Sequence, residues 1–425
     1  MTIIGIDDTD SRERGMCTTY LAARIADRIE SMAEATVDRC LLVRCTPGVE
    51  HKTRGNAALA VHTDLDAGTA VELATEELTA TAEVDDPRTN PGLVVAPHAP
   101  TAIPDSVAAF ARTAMQDILD LATARDLIET HGYRSAGWGN GRGRIGALAA
   151  VGAWAAREDW TYELITYRQS DRWGTDRTVD YDSVFAAAEA SYPDAWDTVD
   201  RVENEAVCVP HTPGPLLYGI RGDDPAAVRS VADRIDSEPI ERTRLFVTNQ
   251  GTDAHLQPGT IGDLQDRRAY RLAGTVATAP ETREGGHVFF DLRADDQGSS
   301  VQCAAFEPTK RFRDRVRALR VGDRLTVCGG VRNGTLKLEK FALRERRTTE
   351  LVTPTCPDCG NRMESAGAEQ GYRCRPCGTT APGKTERPID RDLEVGWYEV
   401  PPCARRHIAK PLIRGGFDAP IHPER

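Results

Sequence analysis

Four cysteines in two close pairs restrict the C-terminal part of this chain more than any other feature of its sequence. The pairs are Cys356-x2-Cys359 and Cys374-x2-Cys377, separated by 14 residues. This spacing lets four thiolates surround one Zn²⁺ as a tetrahedron, and a glycine follows each second cysteine. Four protein ligands leave no position for a substrate. The sequence therefore predicts a zinc ribbon with a structural zinc ion.

The remaining cysteines and the hydropathy pattern indicate where the chain works. Eleven cysteines are an odd number, and no basic and apolar leader follows Met1. A disulfide framework is therefore not expected. Although 40% of the residues are hydrophobic, no run approaches the ~18 apolar residues of a membrane-spanning helix. We expect a cytoplasmic protein with no membrane partner.

Charge is distributed unevenly along the chain. The formal net charge is -12, and only 6 of the 53 basic residues are lysines. Acid-rich, lysine-poor surfaces suit high salt, where screening reduces self-repulsion, so we expect a halophilic source. Residues 304–350 differ, with 13 Lys and Arg against 6 Asp and Glu. This basic segment predicts a face for an anionic partner such as nucleic acid.

Residues 1–130 alternate between strand and helix patterns, which predicts an α/β domain. Strands are expected at Thr2–Ile6, Leu41–Cys45, Ala57–His62 and Leu93–Ala96. Helices are expected at Thr18–Met32, Ala67–Thr79 and Pro104–Thr130, the last as one long amphipathic helix. A glycine-rich stretch, 137–146, then leads into an alanine-rich helix at Ala147–Ala156.

The order of the next elements predicts two further domains. Residues 131–262 have the order β-α-β-β-α-β of a ferredoxin-like domain. Its strands are expected at Tyr162–Tyr167, Ala206–Val209, Leu216–Ile220 and Leu245–Thr248, and its helices at Tyr181–Ala190 and Pro225–Ile235. Residues 263–348 contain five strands, with a helix at Thr309–Leu319 between the third and fourth, as in an OB-fold β-barrel. With the zinc ribbon and tail at 349–425, the predicted fold class is a multidomain α+β protein.

An acidic motif at the end of the first strand is a candidate nucleotide site. Asp7, Asp8 and Asp10 are clustered carboxylates of the kind that bind magnesium, which in turn holds phosphates. Thr18 and Thr19 open the next helix and can add hydroxyl and N–H donors. The motif alone is equally typical of an acidic turn followed by a helix cap.

Two other segments extend this candidate site. The segment His51–Ala57 places Lys52, Arg54 and Asn56 just before a strand, and an ammonium group suits a phosphate. The glycine-rich stretch offers Asn140 and Arg142 beside a helix start. Each segment alone is more typical of a surface loop, but together they describe a site for a polyanion with a metal ion.

Gly378–Thr385 matches the G-x4-G-K-T pattern of a phosphate-binding loop. That loop needs a strand before it and a helix after it, so that backbone N–H groups face the phosphates. Here the pattern begins inside a zinc knuckle and no helical run follows. We interpret the match as a coincidence.

Two polar segments have open interpretations. Thr248–His255 is dense in hydrogen-bonding groups, which fits either a functional loop or a polar turn. Pro401–Lys410 is a basic segment that fits either an RNA backbone contact or a solvated tail.

Taken together, these motifs resemble one known family over essentially the whole chain. They are Gly5–Asp10, Gly15–Tyr20, Lys52–Ala57, Gly219–Gly222, Thr248–Asp253, Pro402–His407 and the cysteine quartet. In this order they are similar to the archaeal tRNA agmatinylcytidine synthetases, which modify the wobble cytidine of the CAU-anticodon isoleucine tRNA. The resemblance implies that the first domain is an unusual kinase-like domain, followed by the ferredoxin-like domain, OB-fold and zinc ribbon.

The resemblance also implies a chemistry. ATP would phosphorylate the cytosine O2, a poor leaving group, and the amine of agmatine would then attack C2, with ATP ending as AMP and phosphates. Asp7, Asp8 and Asp10 would hold magnesium and phosphates, and Lys52 and Arg54 would stabilise developing charge. Thr18 corresponds to the family's autophosphorylated threonine. Thr19, Asn56, Asn140 and Arg142 would contribute to the ATP and agmatine sites, and the carboxylate that binds the guanidinium of agmatine stays open.

Two other functions compete with this one. A non-catalytic binder of single-stranded nucleic acid would use the OB-fold and zinc ribbon, but has no need of the Asp7–Asp10 motif. A small-molecule kinase would leave the OB-fold and ribbon unexplained. The expected partners are therefore the isoleucine tRNA and agmatine, with ATP, magnesium and zinc.

Overall fold

The computed structural model describes residues 1–52, 55–295 and 298–425. A nine-stranded mixed sheet occupies the N-terminal part of the chain. Its strands are β1 (Thr2–Asp7), β2 (Val37–Arg44), β3 (Ala57–Thr63), β4 (Gly92–Ala96), β5 (Arg134–Gly137), β6 (Thr161–Arg168), β7 (Ala195–Trp196), β8 (Leu216–Gly222) and β9 (Ile240–Thr248). The helices among them are α1 (Thr18–Glu30), α2 (Ala67–Thr81), α3 (Asp105–Gln116), α4 (Leu121–Thr130), α5 (Gly143–Ala156), α6 (Tyr181–Ser191) and α7 (Pro225–Ala232).

One parallel pair joins two halves of this sheet. The strand order is β5-β4-β1-β3-β2-β9-β6-β8-β7, and β2 pairs with β9 in parallel with Cys40 opposite Phe246. As a result, the C-terminal ends of β1, β2, β9 and β8 and the N-terminal ends of β3 and β6 lie along the same edge. Residues far apart in sequence therefore meet at that edge.

Alternation of apolar side chains along β1 explains the layers of the first half. Ile3 packs with α3, α4 and α5 on one face, whereas Ile4 and Ile6 pack with α1 and α2 on the other. Gly5 faces α5, where a side chain would overlap the carbonyl oxygen of Ala147. The sheet is therefore covered on both faces, and α5 lies very close to it.

The long helix expected at Pro104–Thr130 is wrong, because the chain breaks between α3 and α4. Asp117 is in an extended conformation at the end of α3, and the side chain of Asp120 accepts a hydrogen bond from the backbone N–H of Thr123. Aspartates favour such caps over helix interiors. The amphipathic period continued across the break and hid it.

The second half has the expected element order with one corrected strand. Its second strand is β7, and Ala206–Val209, expected to be a strand, is an irregular buried segment. Within it the backbone of Cys208 donates to Thr198 and accepts from Gly219. The apolar residues of this segment therefore reflect its burial and not a β-strand.

The barrel follows the nine-stranded sheet. Its region contains β10 (Leu256–Pro258), β11 (Ala269–Val276), β12 (Glu281–Thr282), β13 (Val288–Arg293), β14 (Ser300–Ala305), α8 (Phe312–Arg317), β15 (Arg324–Arg332) and β16 (Thr335–Glu345). Five of these strands pair in the closed order β11-β13-β14-β16-β15-β11 around an apolar core. The helix expected at Thr309–Leu319 is shorter, because a 3₁₀ turn and a left-handed Lys310 precede it.

The ribbon and the tail complete the chain. The ribbon has β17 (Thr349–Val352), β18 (Glu364–Ser365), β19 (Tyr372–Arg373), β20 (Thr380–Ala381) and β21 (Thr385–Pro388), and the tail has β22 (Gly396–Glu399) and β23 (Ile421–His422). A strand, β21, follows Lys384, so the interpretation of Gly378–Thr385 as a chance match is confirmed. Among the described residues, none of the helices is long and apolar enough to span a membrane.

Candidate active site

A cavity of about 620 Å³ opens at the shared edge of the nine-stranded sheet. It lies where β1, β2 and β8 end and where β3 and β6 begin. Eight residues singled out from the sequence line it: Asp7, Asp8, Asp10, Thr18, Thr19, Lys52, Asn56 and Arg142. Arg54, expected to be catalytic, lies outside the described residues.

The carboxylates of the acidic motif are held at the end of β1 by different contacts. Asp8 has a positive φ of 58°, and its Oδ2 accepts hydrogen bonds from Arg142 Nε at 2.8 Å and from the backbone N–H of Asn90 at 3.1 Å. Asp7 lies against the first turn of α5, where a Cβ on Gly146 would overlap its carboxylate. The glycines of the sequence motif therefore let a helix N-terminus approach Asp7.

Burial sets the protonation behaviour of these carboxyls. Burial, and then the neighbouring Asp8, raise the pKa of Asp7 well above its ordinary value. Burial also raises the pKa of Asp8, although the guanidinium of Arg142 opposes that shift. Two neighbouring carboxyls with raised pKa values beside a cavity mark a candidate functional site.

The N-terminus of α1 brings hydroxyl groups to the same cavity. Thr18 begins the helix and its Oγ1 accepts a hydrogen bond from Thr9 Oγ1 at 3.0 Å. Thr19 follows, with its Oγ1 3.1 Å from the sulfur of Cys17. The N–H groups of a helix N-terminus favour an anion at this point.

Lys52 and Asn56 lie on the loop that leads into β3. The ammonium of Lys52 donates to the carbonyl of Pro47, and burial, followed by Arg406, lowers its pKa. Asn56 donates from Nδ2 to the carbonyl of Thr46 at 2.9 Å. Asn56 therefore fastens the loop, and Lys52 supplies the charge.

The two residues predicted from the glycine-rich stretch, Asn140 and Arg142, have different positions relative to the cavity. Arg142 lines the cavity and pairs with Asp8. Asn140 is not part of the cavity lining. Its side-chain oxygen accepts a hydrogen bond from the backbone N–H of Arg142 at 2.9 Å, and its backbone N–H donates to the side-chain oxygen of Asn90. Asn140 thus shapes the loop that delivers Arg142.

Sequence reasoning did not assign a role to several further polar residues of the cavity, and four of them surround its inner wall. They are Arg44, Glu163, Arg221 and His407. Arg221 and His407 belong to motifs noted above, but Arg44 and Glu163 stand on strands and carry no local signal. Burial, with Arg44 and Arg221 nearby, holds the pKa of His407 well below its ordinary value, so the imidazole is neutral at pH 7.

The polar segment after β9 holds one of these residues in place. Asn249 bonds both the backbone N–H and the carbonyl of Arg44, at 2.7 and 2.9 Å, and Gln250 accepts from Arg44 Nε at 2.9 Å. Farther along, Asp253 pairs with the buried Lys340 of the barrel at 2.9 Å. The segment is therefore a structural junction between the cavity and the barrel.

The four cysteines of the ribbon converge as their spacing predicts. All four Sγ atoms lie within 4.8 Å of one another. The sulfur atoms of Cys356 and Cys377 are 3.4 Å apart, as are those of Cys359 and Cys374. Four thiolates at this separation fit a tetrahedral zinc ion.

Three family models match separate parts of the chain. The TiaS TCKD domain matches residues 3–70, the TiaS FLD domain matches residues 141–255 and the TiaS C-terminal zinc ribbon domain matches residues 353–393. The first two matches contain residues of the cavity, and the third contains the cysteine quartet.

Full-length relatives and solved structures agree with these matches. The isoleucine-tRNA 2-agmatinylcytidine synthetase TiaS of Haloquadratum walsbyi is 57% identical over 100% of both chains, and that of Methanosarcina mazei is 46% identical over 97% of both. A crystal structure of TiaS with its isoleucine tRNA and ATP matches with a TM-score of 0.89 at 41% identity, covering 100% of this chain and 99% of that one. A TiaS complex with the same tRNA, AMPCPP and agmatine matches with a TM-score of 0.86 at 39% identity, with the same coverage.

Proposed function

Because this chain belongs to the family of isoleucine-tRNA 2-agmatinylcytidine synthetases, we propose that its cavity joins agmatine to the wobble cytidine of that tRNA with ATP. The enzyme is an ATP-dependent ligase that forms a carbon–nitrogen bond. The observation that carries this function is full-length identity combined with one cavity that gathers the motif residues. A non-catalytic nucleic-acid binder would need no such cavity.

The chemistry requires an oxygen to be made a leaving group. Phosphorylation of the cytosine O2 by ATP gives an activated cytidine, and the primary amine of agmatine attacks C2. The new C–N bond forms as the C2–O2 bond breaks, and the oxygen departs with the phosphoryl group. This first transfer leaves ADP. A second phosphoryl group then passes to the hydroxyl of Thr18 or to water, so that ATP ends as AMP and phosphates. The target base has to leave the anticodon stack to enter the cavity.

We propose that Asp7, Asp8 and Asp10 bind magnesium together with the triphosphate. In nucleotide sites Mg²⁺ usually binds one or two carboxylates directly, and phosphate oxygens and water fill its other positions. The three carboxylates therefore need not all contact the ion at once. The buried Asp7, beside Asp8 and with a raised pKa, fits a divalent cation that neutralises it. When bound, the ion would offset charge on the phosphates.

The other site residues have proposed roles that follow from their placement. Thr18 offers its hydroxyl at a helix N-terminus, where a phosphoryl group is stabilised, and Thr19 adds a second donor. Lys52 faces the transferred group as a compact cation. Arg142 orients Asp8, while Asn56 and Asn140 hold the loops on either side. Arg54 stays a predicted partner of Lys52.

The domain interpretation is also a proposal. The four strands ordered β9-β6-β8-β7 support a ferredoxin-like domain within 131–262, and the closed barrel with α8 between β14 and β15 supports an OB-fold at 263–348. Residues 1–130 are the kinase-like domain, with α5 packed on its sheet, and 349–425 form the zinc ribbon and tail. A tRNA substrate and ATP imply a cytoplasmic enzyme.

The function is tested by reconstitution. Purified protein is incubated with ATP, labelled agmatine and the CAU-anticodon isoleucine tRNA, at a salt concentration that suits an acidic protein. Label is expected in RNA only when all components are present, together with AMP. Labelling of a tRNA whose wobble position is not cytidine would contradict the substrate assignment.

A further inference from the structure

One buried carboxylate in the cavity wall has an unsatisfied oxygen. Glu163 is on β6, and its side chain is 5% exposed. Its Oε1 accepts from Arg221 Nε at 3.3 Å, and its Oε2 receives no hydrogen bond from the described residues. Arg44 Nη2 is 3.8 Å from Oε2, beyond hydrogen-bond distance. Oε2 therefore lies beside a charge but accepts no hydrogen bond from the described residues, which costs free energy for a buried acceptor, and a ligand donor would complete it.

The surrounding backbone keeps this oxygen in place. Glu163 is directly opposite Arg221 across β6 and β8, and Gln250 and Asn249 hold Arg44 from the other side. Gly219 leaves space for the carboxylate, because a Cβ there would lie 3.0 Å from Oε1. The Arg44–Glu163–Arg221 group is therefore a built feature of the cavity wall.

This group offers one acceptor flanked by two sets of donors. A ligand that fits it carries an N–H donor beside an acceptor. The Watson–Crick edge of cytosine has that pattern, with the 4-amino group next to N3, and carboxylates accept from this amino group in nucleic-acid recognition. The guanidinium of agmatine has only donors, and would place a third cation beside Arg44 and Arg221.

We propose that Glu163 recognises the 4-amino group of the target cytosine, while Arg44 or Arg221 donates to N3. This assignment rests on the proposed function, because it concerns the base that the same cavity modifies. Glu163 is then the residue that selects cytosine over bases that lack the amino group. One such contact discriminates by about 5- to 150-fold.

The test compares two tRNAs that differ only at the wobble base, which is either cytosine or pyrimidin-2-one. The second base keeps O2 and N3 but lacks the amino group. Wild-type protein is expected to prefer cytosine in kcat/KM by a factor in the range above. Glu163→Gln is expected to lose most of that preference, while the KM for agmatine stays unchanged. The ratio between proteins cancels the intrinsic reactivity of the two bases.

Two further variants separate this role from general damage. Gly219→Ala displaces the carboxylate without changing charge, and is expected to reduce the preference in the same direction. Glu238→Gln is the matched control. Glu238 is also a buried carboxylate, and it pairs at 2.7 Å with Arg168, which is on β6 like Glu163. It does not line the cavity. It is expected to keep the wild-type preference.

The outcomes are distinguishable. A wild-type preference in Glu163→Gln overturns the assignment, and so does a raised agmatine KM with that preference intact. Equilibrium binding of the two tRNAs gives the same ratio without catalysis. Wild-type protein that binds the cytosine tRNA preferentially but transfers no agmatine would overturn the proposed function, and loss of that binding preference in Glu163→Gln would still support the role of Glu163.

Discussion

Asp7 shows how burial alters the balance between stability and function at a single residue. Its pKa is raised, so the folded state holds the proton more tightly than the unfolded state. Ionisation of this carboxyl therefore destabilises the fold. The penalty begins to decrease as pH falls below the raised pKa and is absent only below the ordinary pKa of aspartate. A residue that costs stability at working pH is expected where function demands it.

Asp7→Asn is expected to raise the Tm by a few degrees at neutral pH, with a smaller gain at acidic pH, and to abolish agmatine transfer. The neutral amide avoids the cost of a buried charge but removes a proposed magnesium ligand. Thermal unfolding at several pH values checks this. Asp66→Ala is the contrasting control: Asp66 caps α2, its pKa is lowered by bonds from Thr69, and loss of the cap should lower the Tm. A Tm for Asp7→Asn at or below wild type would contradict the argument.

Asp8 differs from Asp7 because Arg142 already neutralises part of its charge, so its substitution is expected to affect activity rather than stability. Asp8→Asn is expected to reduce AMP formation by at least about 100-fold, as for loss of a preorganised electrostatic contact. The affinity for tRNA should change little, since phosphate contacts elsewhere supply most of it. Asp105→Asn, at the exposed start of α3, should leave both unchanged. Normal AMP formation by Asp8→Asn would remove this residue from the metal site.

At the scale of elements, the sequence allowed short motifs to be predicted, but it did not allow the pairing of distant strands to be predicted. Asp8 and Thr18 stand in one strand–loop–helix segment, so their proximity could be predicted from β1 and α1 alone. Glu163 meets Arg44 only because β2 pairs with β9 and β9 with β6, and no local pattern specifies those pairings. Hydrophobic period also failed at the α3–α4 break, where capping by Asp120 outweighs it.

The position of the Asp7 carboxylate in the acidic motif depends on how closely helix α5 approaches it. Gly146 lets the first turn of this helix touch Asp7, and a methyl group there would overlap the carboxylate. Gly146→Ala is expected to lower kcat at least about 10-fold by displacing Asp7, with tRNA affinity nearly unchanged. Gly383→Ala, where a Cβ would meet open space, is the control. A fully active Gly146→Ala protein would show that the contact does not position Asp7.

At the scale of the whole molecule, the C-terminal tail ties the barrel to the nine-stranded sheet. Arg405 is buried and pairs with Asp197 of the sheet region and with Glu399 of β22. Arg414 pairs with Asp159 and Asp223. Within the basic segment at 401–410, for which two interpretations were open, Arg405 and Arg406 are thus paired with carboxylates of the protein. These contacts fix the cavity and the barrel as one unit for a large substrate.

The ribbon differs from that unit, because its own core is too small to fold alone. Its buried apolar cluster contains Cys356, Met363 and Cys374, with Tyr372 and Ala381 against it. Metal binding therefore supplies most of its folding free energy. A chelator is expected to release one zinc per chain and to abolish amide protection in 353–388, while the sheet and the barrel, whose core includes Leu393, keep theirs.

Substitution of a single ligand gives the same result without a chelator. Cys359→Ser should lose the zinc and weaken tRNA binding, yet leave the Tm of the main unit unchanged, because the barrel core contains no described residue of β17–β21. Cys403→Ser, half-buried outside the ribbon, should retain one zinc. Zinc content and hydrogen exchange measure both. If chelation unfolded the barrel as well, the ribbon would be part of the main cooperative unit, and its metal would then support the whole molecule.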